Sequence, residues 1–190
     1  MSDPLVKFLK KKTALINSEI EEIVRFLNVQ KFKKGTILLR QGEISAKCYF
    51  VLTGCIRQYS CLEDGREITY NFFTEEQAVV MISSYKQKKP SDYFLSCAET
   101  SSLLVGELDS EEGMYNKFPK LKEVTRIILE SNLGEAQDEH ARFISSTPEE
   151  RYRMILKNRP GLINRVPQHQ LASYLGITPE SLSRIKKRLL

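Results

Sequence analysis

The chain has 190 residues, of which 41% are hydrophobic and 28% charged, so it can bury a core as one large or two small domains. It contains no uncharged apolar stretch of about 18 residues, and its start, MSDPLVKFLKKK, lacks the apolar core of a signal peptide. We therefore expect a cytoplasmic protein without a membrane partner. Four cysteines without a CxxC pair and only two histidines argue against a metal or iron–sulfur centre.

The net charge of +5 is concentrated at one end of the chain. Residues 145–190 contain nine Lys or Arg against three Glu, whereas the rest of the chain has 20 basic and 21 acidic residues. A basic segment beside a nearly neutral one is typical of a protein that binds a polyanion.

The first 27 residues predict helices. Pro4 to Lys11 fits a short helix. Ser18 and Glu21 form the S-x-x-E pattern of a capping box, in which each side chain satisfies a backbone amide near the other residue. Apolar residues then recur at helical spacing, so we expect a second helix from Ser18 to Leu27.

From Gln30 to Leu108 the pattern changes to short strands separated by turn signals. Glycines at positions 35, 42, 54 and 65 punctuate the segment at intervals of 7 to 12 residues. Asp64-Gly65 is a strong hairpin signal, because both turn positions need positive φ. This spacing predicts an all-β sandwich or barrel.

Helical periodicity returns with a short helix, Ser110 to Asn116, and a long one that opens at Pro119. A helix of about 25 residues would be near 38 Å long, which exceeds what a small domain covers, so we expect it to pair with a second copy of the chain. The alternative is a connecting helix that packs only on its own domain. The predicted dimer interface comprises Leu121, Val124, Ile128, Leu129, Leu133, Ala136 and His140.

The last 44 residues predict a helix followed by a helix-turn-helix. Thr147-Pro148-Glu149-Glu150 places Thr at the N-cap, Pro at N1 and Glu at N3 of one helix. Pro167 then starts a helix that Gly176 ends in the left-handed conformation, and Thr178 caps the final helix. Leu182, Ile185 and Leu189 form its apolar stripe.

The other face of the final helix is polar and basic. The second helix of a helix-turn-helix enters the DNA major groove with its amino-terminal residues at the base edges. Glu180 can accept from cytosine, Arg184 can pair with guanine, and Lys186, Lys187 and Arg188 suit phosphates. The alternative is an amphipathic basic helix without a DNA role. The predicted double-stranded-DNA-binding residues are Thr178, Pro179, Glu180, Ser181, Ser183, Arg184, Lys187 and Arg188.

Two stretches, KFKKGTILLRQGEISAKCYFVLTGCIR and LASYLGITPESLSRIKKRL, resemble the Crp/Fnr family of bacterial transcription regulators. The resemblance implies an α+β fold: an antiparallel β-roll of double-stranded jelly-roll type with flanking helices, a long dimerisation helix, and a helix-turn-helix domain. The family normally has a β-hairpin wing after the reading helix, and this chain has no evident wing. The resemblance further implies three parts: a sensor domain resembling cyclic-nucleotide-binding domains (residues 1–118), a linker helix (119–144) and a DNA-binding domain (145–190). It also implies a homodimer and leaves RNA polymerase open as a further partner.

The chain departs from the family pattern at two sites. Pro179 stands where the family's reading helix usually has arginine. Family members that bind cyclic AMP carry Gly-Glu and then Arg-Ser or Arg-Thr, and neither pair occurs in EEQAVVMISSYKQKKPSDYF. Because an anionic phosphate buried without its guanidinium is costly, we expect weak or no cyclic-AMP binding and assign no cofactor. The effector pocket is placed at Val79, Val80, Met81, Lys89 and Ser91.

Two other functions are weighed against a DNA-binding regulator. One is a module for a cyclic nucleotide or other small ligand with a vestigial helix-turn-helix. The other is an enzyme on a cupin-like barrel, which would need clustered histidines in the strands. Since His140 and His169 lie outside the strand region, we expect no catalytic residues.

Overall fold

The computed structural model describes residues 4–13 and 15–189, which form an antiparallel β-roll with helices on both outer faces. The predicted α+β fold is confirmed. The helices are α1 (Pro4–Lys12), α2 (Asn17–Phe26), α3 (Ile82–Gln87), α4 (Glu111–Lys117), α5 (Pro119–Ser145), α6 (Pro148–Asn158), α7 (Leu162–Arg165), α8 (Gln168–Leu175) and α9 (Pro179–Leu189). The strands are β1 (Asn28–Phe32), β2 (Ile37–Leu39), β3 (Lys47–Thr53), β4 (Ile56–Cys61), β5 (Glu67–Phe73), β6 (Ala78–Val80), β7 (Phe94–Cys97) and β8 (Ser101–Glu107).

The strands form two four-stranded antiparallel sheets, here called the roll. Sheet one has the order β1-β8-β3-β6 and sheet two the order β2-β7-β4-β5, so β5 lies at an edge. The predicted hairpin at Asp64-Gly65 does join β4 to β5, but its turn differs from the predicted form: Gly65 has a positive φ of +82°, whereas Asp64 does not. Apolar residues from both sheets meet between them in one buried cluster: Leu39, Tyr49, Val51, Ile56, Val79, Leu95, Cys97, Leu103 and Val105.

Helices α1 and α2 and the start of α5 cover the outer face of sheet one. Side chains of β3 alternate between the two faces, so Tyr49 and Val51 point into the roll while Phe50 and Leu52 point out. The outward pair packs against α1, α2 and the first turns of α5. Leu121 and Val124 of α5 belong to this cluster and are buried, as are Leu5, Phe8, Leu9, Ile20 and Ile23.

The start of α2 differs from the predicted capping box. The helix begins at Asn17, one residue before Ser18, and Ile16 occupies the N-cap position. Glu19, and not Glu21, reaches back to accept a hydrogen bond of 3.0 Å from the Ile16 amide. The capping interaction therefore exists two residues earlier than the S-x-x-E pattern indicates. The burial of Ile20 and Ile23 against α1 sets the helix phase.

Helices α6 to α9 form a compact unit, here called the head. Its core consists of buried side chains from all four helices: Tyr152, Ile155, Leu162, Leu171, Ala172, Leu175, Leu182 and Ile185. The same cluster includes Cys55, Phe72 and Ala98 of the roll. The head is thus packed directly against sheet two, which residue spacing did not predict. Within the described residues, no helix combines the length and the apolarity that crossing a membrane would require.

Candidate nucleic-acid interface

The turn glycine and the capping threonine place the two helices of the predicted helix-turn-helix as expected, with one correction. Gly176 ends α8 at φ +74°, and the Ile177 amide donates to the Ala172 carbonyl across 3.0 Å, which closes the turn. The Thr178 hydroxyl accepts from the Ser181 amide at 3.3 Å, so Thr178 caps α9. Pro167 precedes α8 as its N-cap residue instead of occupying its first turn, because α8 begins at Gln168.

The face of α9 that points away from the head core carries its polar and basic residues. Leu182 and Ile185 are buried and Leu189 is half-buried, which confirms the predicted apolar stripe. Of the eight predicted contact residues, Ser181 is half-buried and the others are exposed: Thr178, Pro179, Glu180, Ser183, Arg184, Lys187 and Arg188. The structure therefore places all eight on or beside one accessible surface.

Within this face, side chains of the first turns of α9 are already engaged with one another. Arg184 donates to the Ser181 hydroxyl across 3.0 Å, which holds the guanidinium over the amino-terminal half of the helix. Hydrogen bonds from its own backbone amide and from Thr178 hold the pKa of Glu180 below its usual range, with Arg184 adding to the effect. The ionised, hydrogen-bond-accepting form of Glu180 is thus favoured, and it lies beside the Arg184 guanidinium that Ser181 holds in place.

The carboxy-terminal half of α9 borders the start of α6. A groove of about 810 Å³ lies between the two helices, and Arg188 crosses it to form an ion pair of 3.0 Å with Glu149. Arg188 would have to leave Glu149 to meet a phosphate. The groove is lined by Thr147, Pro148, Glu149, Ile177, Ser181, Arg184, Ile185, Lys187 and Arg188.

Arg151 joins the head to α5, and sequence reasoning did not single it out. Its guanidinium donates to the carbonyl of Phe143 at 3.0 Å and to that of Leu175 at 3.1 Å, and it lies 3.7 Å from the Phe143 ring centre. A cation at two helix carboxy-termini is favoured by the helix dipole and by the last carbonyls of each helix, which lack the next turn of amides as partners. Since both carbonyls are reached only through tertiary packing, spacing along the chain could not reveal this role.

The segment from β6 to Ser91 (residues 78–91), here called the cassette, contains the five predicted effector residues. Val79 is buried in the interior of the roll, Val80 and Met81 are half-buried, and Lys89 is exposed. Ser91 is buried, and its hydroxyl donates to the Tyr93 carbonyl at 3.0 Å and accepts from the Tyr93 amide at 3.1 Å. The Ser91 hydroxyl is therefore engaged with the neighbouring backbone, and Val79 is engaged in the interior of the roll.

The exposed stripe of α5 is shorter than the predicted dimer interface. Leu121 and Val124 are inside the chain's own core and Ile128 is half-buried against it, so these three leave the predicted interface. Leu129 and Leu133 remain 37% and 61% exposed, and Ala136 and His140 are also exposed. The stripe that could meet a second chain therefore runs from Leu129 to His140.

Comparisons with known proteins find a similar domain model and similar regulatory proteins. Residues 29–116 match the model of the cyclic nucleotide-binding domain. The chain is 23% identical over 185 residues to the fumarate and nitrate reduction regulatory protein of Yersinia pestis, with 90% of this chain and 72% of that protein covered. It is 26% identical over 168 residues to the nitrogen fixation regulation protein FixK of Rhizobium meliloti, with 85% and 74% covered.

Solved structures show the same architecture. FixK2 of Bradyrhizobium japonicum superposes with a TM-score of 0.67 at 18% identity, over 86% of this chain and 84% of that one. The c-di-GMP responsive global regulator CLP of Xanthomonas campestris gives 0.68 at 16% identity, over 92% and 91%. At these identities the likeness to the solved structures shows a shared fold. The matched residues 29–116 run from β1 to α4, so they include both sheets and the cassette.

Proposed function

We propose that this protein is a sequence-specific DNA-binding transcription regulator that acts as a homodimer in the cytoplasm. The main support is the arrangement of α9. Its apolar stripe packs into the head, and its accessible face carries Glu180, Arg184 and Lys187. The Yersinia and Rhizobium relatives are named as regulatory proteins, which supports the same role. We propose that the protein has no catalytic activity. Within the described residues, no group of three or more potential metal ligands occurs.

We assign a separate role to each of three parts of the chain. Residues 1–118 hold the roll and serve as the sensor domain, residues 119–144 make most of α5 and pair the two copies, and residues 145–190 form the DNA-binding part. Leu129, Leu133, Ala136 and His140 recur at intervals of four, three and four residues, which is the spacing of a two-helix seam. Pairing along this seam buries two exposed leucines per chain.

Arg184 and Lys187 carry different parts of the proposed recognition, so replacing them separately tests it. Arg184→Ala is expected to lower affinity by about 5–150-fold for each half-site, because a bidentate arginine–guanine pair contributes about 1–3 kcal/mol. It should also flatten base preference at one position of each half-site. Lys187→Ala should weaken binding to all sequences alike and lower the slope of log K against log salt by about 1 for each half-site.

The preferred site is first selected from random DNA, and both variants are then titrated with it and with unrelated DNA. Arg153→Ala is the matched control, since it removes an arginine from the head whose partner is Glu149 of α6. We expect a dyad-symmetric site, because a homodimer reads two half-sites about one helical turn apart. Failure to enrich any dyad site would contradict the proposal, and equal base preference in Arg184→Ala and the parent would remove Arg184 from base reading.

We propose that the sensor domain does not use cyclic AMP as its effector. The cassette has Lys89 and Ser91 but no arginine, and lysine offers a point charge where arginine offers a planar fork. A buried arginine does occur in the roll, but Arg57 donates to Glu67 at 2.5 Å and to Thr69 at 3.0 and 2.8 Å. Releasing it would leave the Arg57 charge without these partners in a buried place.

Calorimetric titration of the full chain with cyclic AMP is therefore expected to show no binding tighter than about 1 mM, which corresponds to about −4 kcal/mol. A dissociation constant in the micromolar range would contradict this expectation. It would also favour the second candidate function, a cyclic-nucleotide-binding module, which the match of residues 29–116 supports.

A further inference from the structure

The head is attached to the roll along the open edge of sheet two. β5 is the edge strand, so every second backbone group on it lacks a strand partner. The Ser173 hydroxyl of α8 accepts from the Thr69 amide at 2.9 Å and donates to the Glu67 carbonyl at 3.1 Å. Arg159 donates to the Phe72 carbonyl further along the same strand. Side chains of the head thus take the place of a fifth strand.

At the end of this edge, Arg165 of α7 binds three loops of the roll at once. It donates to both carboxylate oxygens of Glu75 at 2.9 and 2.7 Å, to Glu99 at 2.9 and 2.6 Å, and to the Gly54 carbonyl at 2.6 Å. These partners lie in the β5–β6, β7–β8 and β3–β4 connections respectively. We call Arg165 with Glu75, Glu99 and Gly54 the latch.

The electrostatics of the latch favour its closed arrangement. Burial alone would raise the pKa of Glu75, but hydrogen bonds from Arg165 and from the Gly54 amide, which lies 2.9 Å away, lower it overall. The hydrogen bonds that Arg165 donates to Glu75, opposed by burial and reinforced by Glu99, raise the pKa of Arg165. The Arg165 side chain is 26% exposed, so water screens these pairs less than it screens an open surface pair.

We propose that Arg165 is a positioning residue that sets the spacing of the DNA half-sites which the dimer accepts. This inference rests on the proposed function. Besides the latch and the β5 contacts, the head is tied to the rest of the chain through the extended Ser146 connection, through Arg151, and through the apolar packing of its core against Cys55, Phe72 and Ala98. A planar guanidinium bound to two carboxylates and a carbonyl fixes orientation as well as distance. With one latch in each chain, the separation of the two α9 helices is fixed by the rolls.

Opening the latch removes the polar contacts that fix the angle of the head, which then shifts more easily on its apolar contact with sheet two. The dimer therefore accepts half-sites at separations that the parent rejects. The head core is unaffected, because Arg165 lies outside its buried cluster. Binding of one head to one half-site should therefore be unchanged. A residue that merely stabilised the head would instead weaken single-site and paired-site binding together.

The test compares full-length parent, Arg165→Ala, Arg165→Lys and the control Arg153→Ala on three DNA probes. One probe has the selected spacing, one has it changed by about two base pairs, and one has a single half-site. For Arg165→Ala we expect the affinity ratio between the first two probes to fall at least about fivefold, the lower limit of a typical coupling between sites, while single-site affinity stays the same. Arg165→Lys should fall between the parent and Arg165→Ala, and Arg153→Ala should match the parent.

Hydrogen exchange of the Thr69 amide gives a second readout without DNA. That amide donates to Ser173 of the head, so it should exchange faster in Arg165→Ala than in Arg153→Ala. If the parent binds no DNA, the proposed function fails and the positioning role fails with it. If the parent binds a dyad site and Arg165→Ala keeps the parent's spacing ratio, only the positioning role is overturned.

Discussion

Leu182→Ala is expected to destabilise the protein by about 2–5 kcal/mol, the usual cost of removing a buried leucine side chain and leaving a cavity. Leu182 is 0% exposed and lies in the cluster that holds α6, α7, α8 and α9 together. The neighbours of its side chain come from several helices, so they cannot close over the cavity without moving the helices themselves. The variant should therefore also weaken DNA binding, because α9 loses its fixed place on α8.

The free energy of unfolding of Leu182→Ala is measured in urea and compared with that of Leu156→Ala. Leu156 lies on α6 and is 41% exposed, so the same substitution there should change stability by only about 0.5 kcal/mol. Equal losses of unfolding free energy in the two variants would contradict the burial of Leu182 in the core of the head. Because the cluster also includes Phe72 of the roll, we expect one unfolding transition for head and sheet two together.

Gly54→Ala is expected to destabilise the protein by about 2–5 kcal/mol, the sum of a left-handed backbone cost and an overpacking cost. Gly54 has φ +111°, and a Cβ there would lie 2.6 Å from the Ser101 Cα and 2.2 Å from the Ser101 Oγ. One of these contacts is with backbone, so a side-chain rotation cannot relieve it. The Gly54 carbonyl, which accepts from Arg165, would shift as the turn opens.

Gly65→Ala separates the two costs, since Gly65 has φ +82° with nothing within 4 Å of an added Cβ. It should therefore show only the backbone cost of about 1–2 kcal/mol. Urea unfolding of both variants measures the difference. Faster exchange of the Thr69 amide in Gly54→Ala alone would show that the damage reaches the head. Equal destabilisation by both substitutions would contradict the close approach of Gly54 to Ser101.

Elements with strong local signals were predicted well. The long helix from Pro119, the capping of α6 by Thr147 and the left-handed Gly176 each depend on residues within one or two turns. Predictions that required knowledge of packing partners were less accurate. The capping interaction of α2 involves Glu19 and the Ile16 amide instead of Ser18 and Glu21, and periodicity alone could not show which stripe of α5 faces inward.

The order of the main elements, the helix-turn-helix and the basic face of α9 follow from the amino-acid sequence, because capping, glycine turns and apolar spacing act over a few residues. The surface on which the head packs depends on the tertiary structure. Arg165 lies 66 and 90 positions from the carboxylates it binds, and Ser173 lies more than 100 from the β5 groups it satisfies. These contacts form only when folding brings a free sheet edge and a charged side chain together. No residue pattern close to either partner in the sequence therefore predicts them.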